Sequence, residues 1–359
     1  MKIFKKKTVL VTGHTGFKGS WLTAWLVMLG AKVIGVSINI PSTPSHFKSI
    51  NLKKKINHKI ADIRNLKSLK KIFKKHKPDY VFHLAAQSLV KKSYLKPIYT
   101  WQTNTLGTLN VLESLRQIKK ECIVVLITSD KSYKNLEIKR GYNENDILGG
   151  KDPYSASKAS AEIAIQSYIN SYFLTGKTKI KIAVARAGNV IGGGDWSEDR
   201  LIPDCVKSWA KNKKVLIRNP KSTRPWQHVL EAVYGYLVLA AKLKKNKKIH
   251  GEIFNFGPNN KKNYNVIVLV KQMKKFWRNV SWSVEKRRKK NFFESSLLKL
   301  NSNKAKTKLK WKCILSFSET INMVTTWYKN YYIKPSEIQK ISFKQIKEYE
   351  ELLKKREIK

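Results

Sequence analysis

The chain has 359 residues, 42% of them apolar, with 73 Lys and Arg against 24 Asp and Glu and a formal charge of +49. That length suits two domains or one large domain with an appendage, and the apolar content suits a sizeable core. No apolar run approaches the roughly 20 residues of a membrane helix; the three cysteines, Cys122, Cys205 and Cys313, make no CxxC pair, and no HExxH is present, so neither a disulfide framework nor a protein-held metal is expected.

Short apolar runs alternate with helical stretches through the first half, as in a parallel sheet covered by helices. Strands are predicted at 8–12, 32–37, 56–60, 79–84, 121–128 and 180–186. A helix over 17–29 ends at Gly30 as a C-cap, and another starts near Tyr154. The expected fold class is α/β, a doubly wound parallel Rossmann sheet with a smaller, mixed α/β substrate-binding domain. The expected boundaries are 1–185 for the nucleotide-binding domain and 186–340 for the mainly substrate domain, some of whose segments return to the sheet. Residues 341–359 are expected to form a charged C-terminal helix with Phe343, Ile346 and Leu353 on one side. A solvated terminal helix is the reading favoured for it.

Lysine is spread along the whole chain, and no nucleic-acid motif accompanies it, which argues against a nucleic-acid partner. An electrostatic pull on a doubly phosphorylated substrate fits better. The densest run, 285–290, reads as a solvated loop. The basic start, 1–7, passes directly into a glycine-rich loop with no cleavage pattern, and reads as the beginning of a cytoplasmic chain.

Gly13, Gly16 and Gly19 give G-x-x-G-x-x-G between the first strand and the first helix. Glycines let backbone N–H groups approach a pyrophosphate, and the helix N-terminus favours the anion. Ser37 stands where an acidic ribose anchor belongs, so NAD against NADP is left open. Asp62 can accept from an adenine amino group or cap a helix beginning near Asn65; both readings stand.

Tyr154 and Lys158 are four apart, on one face of a helix. A lysine cation favours the phenolate, so the tyrosine can take a proton from a sugar hydroxyl as hydride leaves. Thr128-Ser129-Asp130-Lys131 follows the fifth strand, at the ligand end of the sheet. Thr128 is the candidate partner of the reacting hydroxyl, Asp130 the acid and Lys131 the base. Burial would raise the acid's pKa, a Lys131 cation would oppose that, and a lysine base needs desolvation to lose its proton. The plain alternatives are a chance Y-x-x-x-K and a simple Asp–Lys turn. Against them stands the agreement of independent site features.

These residues resemble a known family. Val11-Thr12-Gly13-His14-Thr15-Gly16-Phe17-Lys18-Gly19-Ser20-Trp21-Leu22, Phe82-His83-Leu84-Ala85-Ala86-Gln87, the stretch from Arg186 through Gly188-Asn189 to Gly194-Asp195-Trp196, and Arg224-Pro225-Trp226-Gln227-His228-Val229 are similar to motifs of the extended short-chain dehydrogenases that act on nucleotide sugars. The likeness spans nearly the whole chain and is greatest to the CDP-glucose 4,6-dehydratases. The dTDP-glucose relatives carry Asp-Glu where this chain has Asp130-Lys131, and lack His14 and Lys18.

The resemblance implies NAD, with NADP open, held by Gly13, His14, Thr15, Gly16, Phe17, Lys18, Asp62, Ala85, Ala86, Gln87, Tyr154 and Lys158. It implies a hydro-lyase acting on CDP-glucose: oxidation at C4, loss of water across C5–C6 and hydride return to C6, for deoxysugars of surface polysaccharides. Arg186, Arg218 and Arg224 are the implied pyrophosphate contacts, each equally readable as surface charge. Asn189, Trp196 and Arg200 are implied to hold the sugar or base. A homodimer through 98–117 and 154–175, or a tetramer built from it, is also implied. The rivals are a 4-epimerase, an NAD-binding scaffold without catalysis, and a nucleic-acid binder.

Overall fold

The computed structural model describes residues 1–138, 140–258, 264–277, 280–285 and 298–357; all but the first residue of the basic run 285–290 lies outside them. Six strands form at the predicted places: β1 (Thr8–Thr12), β2 (Lys32–Ser37), β3 (Asn57–Ile60), β4 (Tyr80–His83), β5 (Cys122–Ser129) and β6 (Ile180–Ala187). A seventh, β7 (Ile253–Phe256), adds beyond β6. The order is β7-β6-β5-β4-β1-β2-β3, and every pair is parallel.

Helices cover both faces, so β5 is buried at every position. Side chains alternate across a strand. Ile123, Val125 and Ile127 of β5 face one core, shared with Trp21, Leu22 and Trp25 of α1 (Phe17–Met28). Cys122, Val124 and Leu126 face the other. That second core also takes Leu69 and Phe73 of α2 (Leu66–His76), Val111 and Leu112 of α3 (Gly107–Leu115) and Ile165 of α4 (Pro153–Tyr168). The order reverses between β1 and β4, which opens a crevice at the carboxyl ends of the strands.

After β6 the sequence makes α5 (Leu201–Trp209), α6 (Val229–Lys245) and three small two-stranded pairings. Trp209, Val215, Ile217 and Leu269 continue the first core. Two helices close the chain: α7 (Phe317–Ile333), begun by a Ser316/Glu319 capping box, and α8 (Ile338–Glu357).

The solvated reading of the C-terminal helix is corrected. Ile338, Ile346 and Tyr349 are fully buried on the first core, each contributing roughly 2 kcal/mol by burial. Tyr349 Oη donates to Glu231 Oε2 of α6 at 2.6 Å, and Trp25 Nε1 donates to Glu350 Oε1 at 2.7 Å. Dense charge on the outer face masks this stripe in the sequence. Among the described residues no helix is long and apolar enough to cross a membrane.

Candidate active site

The loop between β1 and α1 is shaped by contact with its neighbours. Gly13 adopts φ +75°, and a Cβ there would lie 2.6 Å from Ala85 N at the end of β4. A Cβ on Gly19 would lie 2.0 Å from Gly13 O. Helix α1 starts at Phe17 with no side-chain cap on its first N–H groups. A glycine-lined turn leading into an uncapped helix N-terminus suits the pyrophosphate of a dinucleotide.

Two predicted cofactor residues, His14 and Gln87, commit their side chains to the protein, and for Asp62 the structure removes the helix-cap reading. The His14 ring is buried beneath the loop, 3.0 Å from Ser37 Oγ and 2.7 Å from His58 Nδ1. Burial, with a contribution from His58, pushes its pKa down to about 4; it is a neutral link between strands, and only its backbone lies in the loop. The Gln87 amide is committed to the protein: Nε2 donates to Leu89 O (3.1 Å) and Thr100 Oγ1 (3.0 Å), and Oε1 accepts from Leu89 N (2.7 Å). Asp62 does not cap α2, because Asn65 does. Its carboxylate instead accepts from Arg64 Nε and Nη2 at 2.8 and 2.6 Å. Thr15 Oγ1 donates to Asn39 O at 2.6 Å, and Phe17 lies against Gly192.

The catalytic candidates meet where β5 ends. The turn Asp130–Ser132 follows β5 directly, and α4 brings Tyr154 and Lys158 over it. Thr128 is not the hydroxyl of this site. It follows Cys122, Val124 and Leu126 on the α4 side of the sheet, and its Oγ1 donates to Glu162 Oε1 at 2.6 Å. Ser129, on the opposite face, lies nearer the place expected of Thr128: its hydroxyl donates to Asp130 Oδ1 at 3.0 Å, and it acts on the neighbouring Tyr154 phenol to lower its pKa. Strand parity decides the matter, since one residue's shift reverses the side chain's direction.

Burial dominates the electrostatics here. It raises the Asp130 carboxyl, against Lys131, the Ser129 hydroxyl and Lys18. It also raises the Tyr154 phenol, and Ser129 works the other way. The lowering expected from Lys158 does not govern that phenol. Lys158 is itself desolvated, its pKa pushed down to about 8 in spite of the Glu162 charge. Lys131 lines a cavity of about 200 Å³ with Tyr133, Gly150, Asp152 and Ser155.

Lys18, expected at the cofactor, also faces this centre. Burial lowers its pKa to about 8; Arg200 and Lys158 act in the same sense, Asp130 and Asp195 in the opposite one. Arg200 is fixed by Asp195 (Nη1–Oδ2 2.9 Å) and feels the Tyr154 phenol. Ser129 and Asp195 are the residues that sequence reasoning missed. The Asp-Trp of the Gly192–Trp196 loop drew attention to the tryptophan rather than to the acid beside it.

Among the substrate candidates, two are corrected. Arg186 has a side-chain exposure of 1% and is paired with Glu162 in the interior; it cannot reach a pyrophosphate. Trp196 is buried among Tyr328, Tyr331 and Tyr332 of α7, with ring centroids 5.1, 4.9 and 6.0 Å away, and is a packing residue. Asn189 is exposed just after β6. Arg218 lies on the surface 3.5 Å from Asp199, and Arg224 sits on a short strand with Nη1 donating to Thr223 O at 2.8 Å.

The family model for GDP-mannose 4,6 dehydratase matches residues 10–324. A CDP-glucose 4,6-dehydratase of Salmonella typhimurium is 42% identical over 347 residues, 96% of each chain. An epimerase structure from Methanothermobacter thermautotrophicus aligns with a TM-score of 0.78 at 26% identity, covering 94% of this chain and 96% of the other. The dTDP-glucose 4,6-dehydratase of Bacillus anthracis, solved in complex with NAD, shares the fold with a TM-score of 0.73 at 22% identity, covering 90% and 97%.

Proposed function

The chain belongs to the GDP-mannose 4,6 dehydratase family, and from that premise we propose that it is an NAD-dependent CDP-glucose 4,6-dehydratase, a hydro-lyase that converts CDP-glucose to CDP-4-dehydro-6-deoxyglucose and water. The observation that carries this reading is the meeting of a redox base, Tyr154, with an elimination acid, Asp130, whose carboxyl accepts from Ser129 Oγ at 3.0 Å and acts electrostatically on the Tyr154 phenol. A 4-epimerase needs only the first of these.

The Gly13–Gly19 loop and the N-terminus of α1 would hold NAD, which would supply the hydride acceptor for C4 and the hydride donor for C6. Tyr154 removes the proton of the C4 hydroxyl, with Ser129 beside it acting against the effect of burial on the phenol. The C4 ketone acidifies the C5 proton, which Lys131 accepts and gives back to C5 when hydride adds at C6. Asp130, whose carboxyl pKa is raised by burial, gives its proton to the C6 oxygen, which leaves as water. Lys158 and Lys18 hold positive charge beside the reacting oxygens, and Arg218 and Arg224 meet the nucleotide pyrophosphate.

The test is incubation of the purified protein with CDP-, dTDP-, UDP- and GDP-glucose, read by mass spectrometry. Loss of water from CDP-glucose alone, without net reduction of NAD, is expected. The second reading, a 4-epimerase, is favoured by the fold shared with the Methanothermobacter epimerase; an epimeric hexose formed without water loss would replace the first reading with it.

The protein is proposed to act as a homodimer. Leu95, Ile98 and Leu106, before and within the run leading to α3, and Ile163 on α4 are all exposed, the first two and the last by 60% or more. An apolar patch of this kind marks an association surface. Three free thiols suit the cytoplasm.

A further inference from the structure

Beneath the acid–base turn lies a buried carboxylate that the proposed reaction does not touch. Glu162, two turns after Tyr154 on α4, is fully buried. It accepts from Thr128 Oγ1 (2.6 Å) at the end of β5 and, at the end of the Asp130–Ser132 turn, from Ser132 Oγ (2.8 Å), whose hydroxyl it shares with Ser129 O (2.6 Å). Arg186 of β6 closes its other side, with Nε 2.9 and 2.7 Å from the two carboxylate oxygens and Nη2 paired to Oε2. Arg186 Nη1 donates in turn to Tyr133 Oη (2.6 Å) and to the Glu144 carbonyl (3.2 Å). Tyr133 Oη donates to Asn255 Oδ1 of β7 at 2.9 Å.

A buried ion pair is a costly way to fill a core. Both ions must be stripped of water, and apolar residues of the same volume are often no less stable. What apolar residues cannot do is grip hydroxyls on both flanks of a turn. Thr128 and Ser132 flank Asp130 and Lys131, and Glu162 shares its helix with Tyr154 and Lys158.

We infer that Glu162, braced by Arg186, is a positioning residue for the elimination step, holding the Asp130–Lys131 turn in register with the helix that carries Tyr154. This inference rests on the dehydratase reading. Arg186 is then not a substrate contact but the counter-charge that allows a carboxylate to be buried here.

The test leaves the ion pair intact and removes the two hydroxyls, as Thr128→Val/Ser132→Ala, because loss of either ion can prevent folding. The melting temperature should stay within a few degrees of wild type. Hydrogen exchange of the backbone amides of residues 130–133 should quicken. The kcat for water loss should fall about 10- to 100-fold, the size expected of a small misplacement, with KM within about twofold. The isotope effect from deuterium at C5 should rise and that from deuterium at C4 should fall, as elimination becomes limiting. Thr128→Ser should behave as wild type. Unchanged exchange and unchanged isotope effects, whatever the loss of rate, would overturn the positioning role. Quickened exchange in a protein whose wild type loses no water from CDP-glucose would instead overturn the dehydratase reading and keep the brace.

Discussion

The Ser129 hydroxyl donates to the Asp130 carboxyl and lowers the pKa of the neighbouring Tyr154 phenol, so its removal should be felt in both halves of the reaction. In Ser129→Ala the phenol loses an influence that lowers its pKa. The low-pH limb of kcat/KM, which reports deprotonation of the base, should move to higher pH, and kcat should drop about 10-fold. A pH profile superposable on wild type would rule Ser129 out. Tyr154→Phe removes the base altogether and should cost about 10²- to 10⁴-fold in kcat, with the melting temperature preserved. Lys158 should lose its proton as the pH rises through about 8, so activity that needs its charge should decline above that pH.

At the scale of elements, Glu231 joins three pieces of the chain. Its Oε1 accepts from Ile314 N (2.9 Å) and Leu315 N (2.7 Å), and its Oε2 from Tyr349 Oη of α8 (2.6 Å). Burial raises its pKa from 4.5 to about 7. A carboxyl raised in the folded state binds its proton more tightly there than in the unfolded chain. Its stabilisation is therefore complete below pH 4.5 and is lost as the pH rises to about 7, up to about 3 kcal/mol. Glu231→Gln keeps the acceptor for the two N–H groups and adds a donor for Tyr349. The melting temperatures of variant and wild type should be similar at pH 5, with the variant ahead at pH 8. A difference independent of pH would mean that the carboxyl does not titrate in this range.

For the whole molecule, association and charge make separate predictions. Ile163, exposed on α4, should lie in the dimer contact, so Ile163→Glu should give a monomer by light scattering while wild type elutes as a dimer. An unchanged mass would move the interface elsewhere. A chain of formal charge +49 should attract a doubly phosphorylated substrate through screened long-range forces. KM for CDP-glucose should rise with ionic strength, and kcat should not.

Six of the seven sheet strands, the glycine turn and the Tyr154–Lys158 pair were legible in the sequence, because each is written in local spacing: apolar runs, φ-permissive glycines, a helical repeat of four. β7 was not located, since its four residues lie within a segment of mixed character, and its place at the sheet edge depends on pairing with β6. Tertiary structure alone decided that Ser129 rather than Thr128 lies on the face of Asp130 and Tyr154, that Arg186 is a buried counter-charge, and that the side chains of His14, Gln87 and Trp196 are taken up by partners within the protein. The reason is the same in each case. A side chain's chemistry can be read from its type, but its direction and its partners are set by strand parity and by residues tens to hundreds of positions away, such as Glu162 for Arg186 and Tyr328 for Trp196.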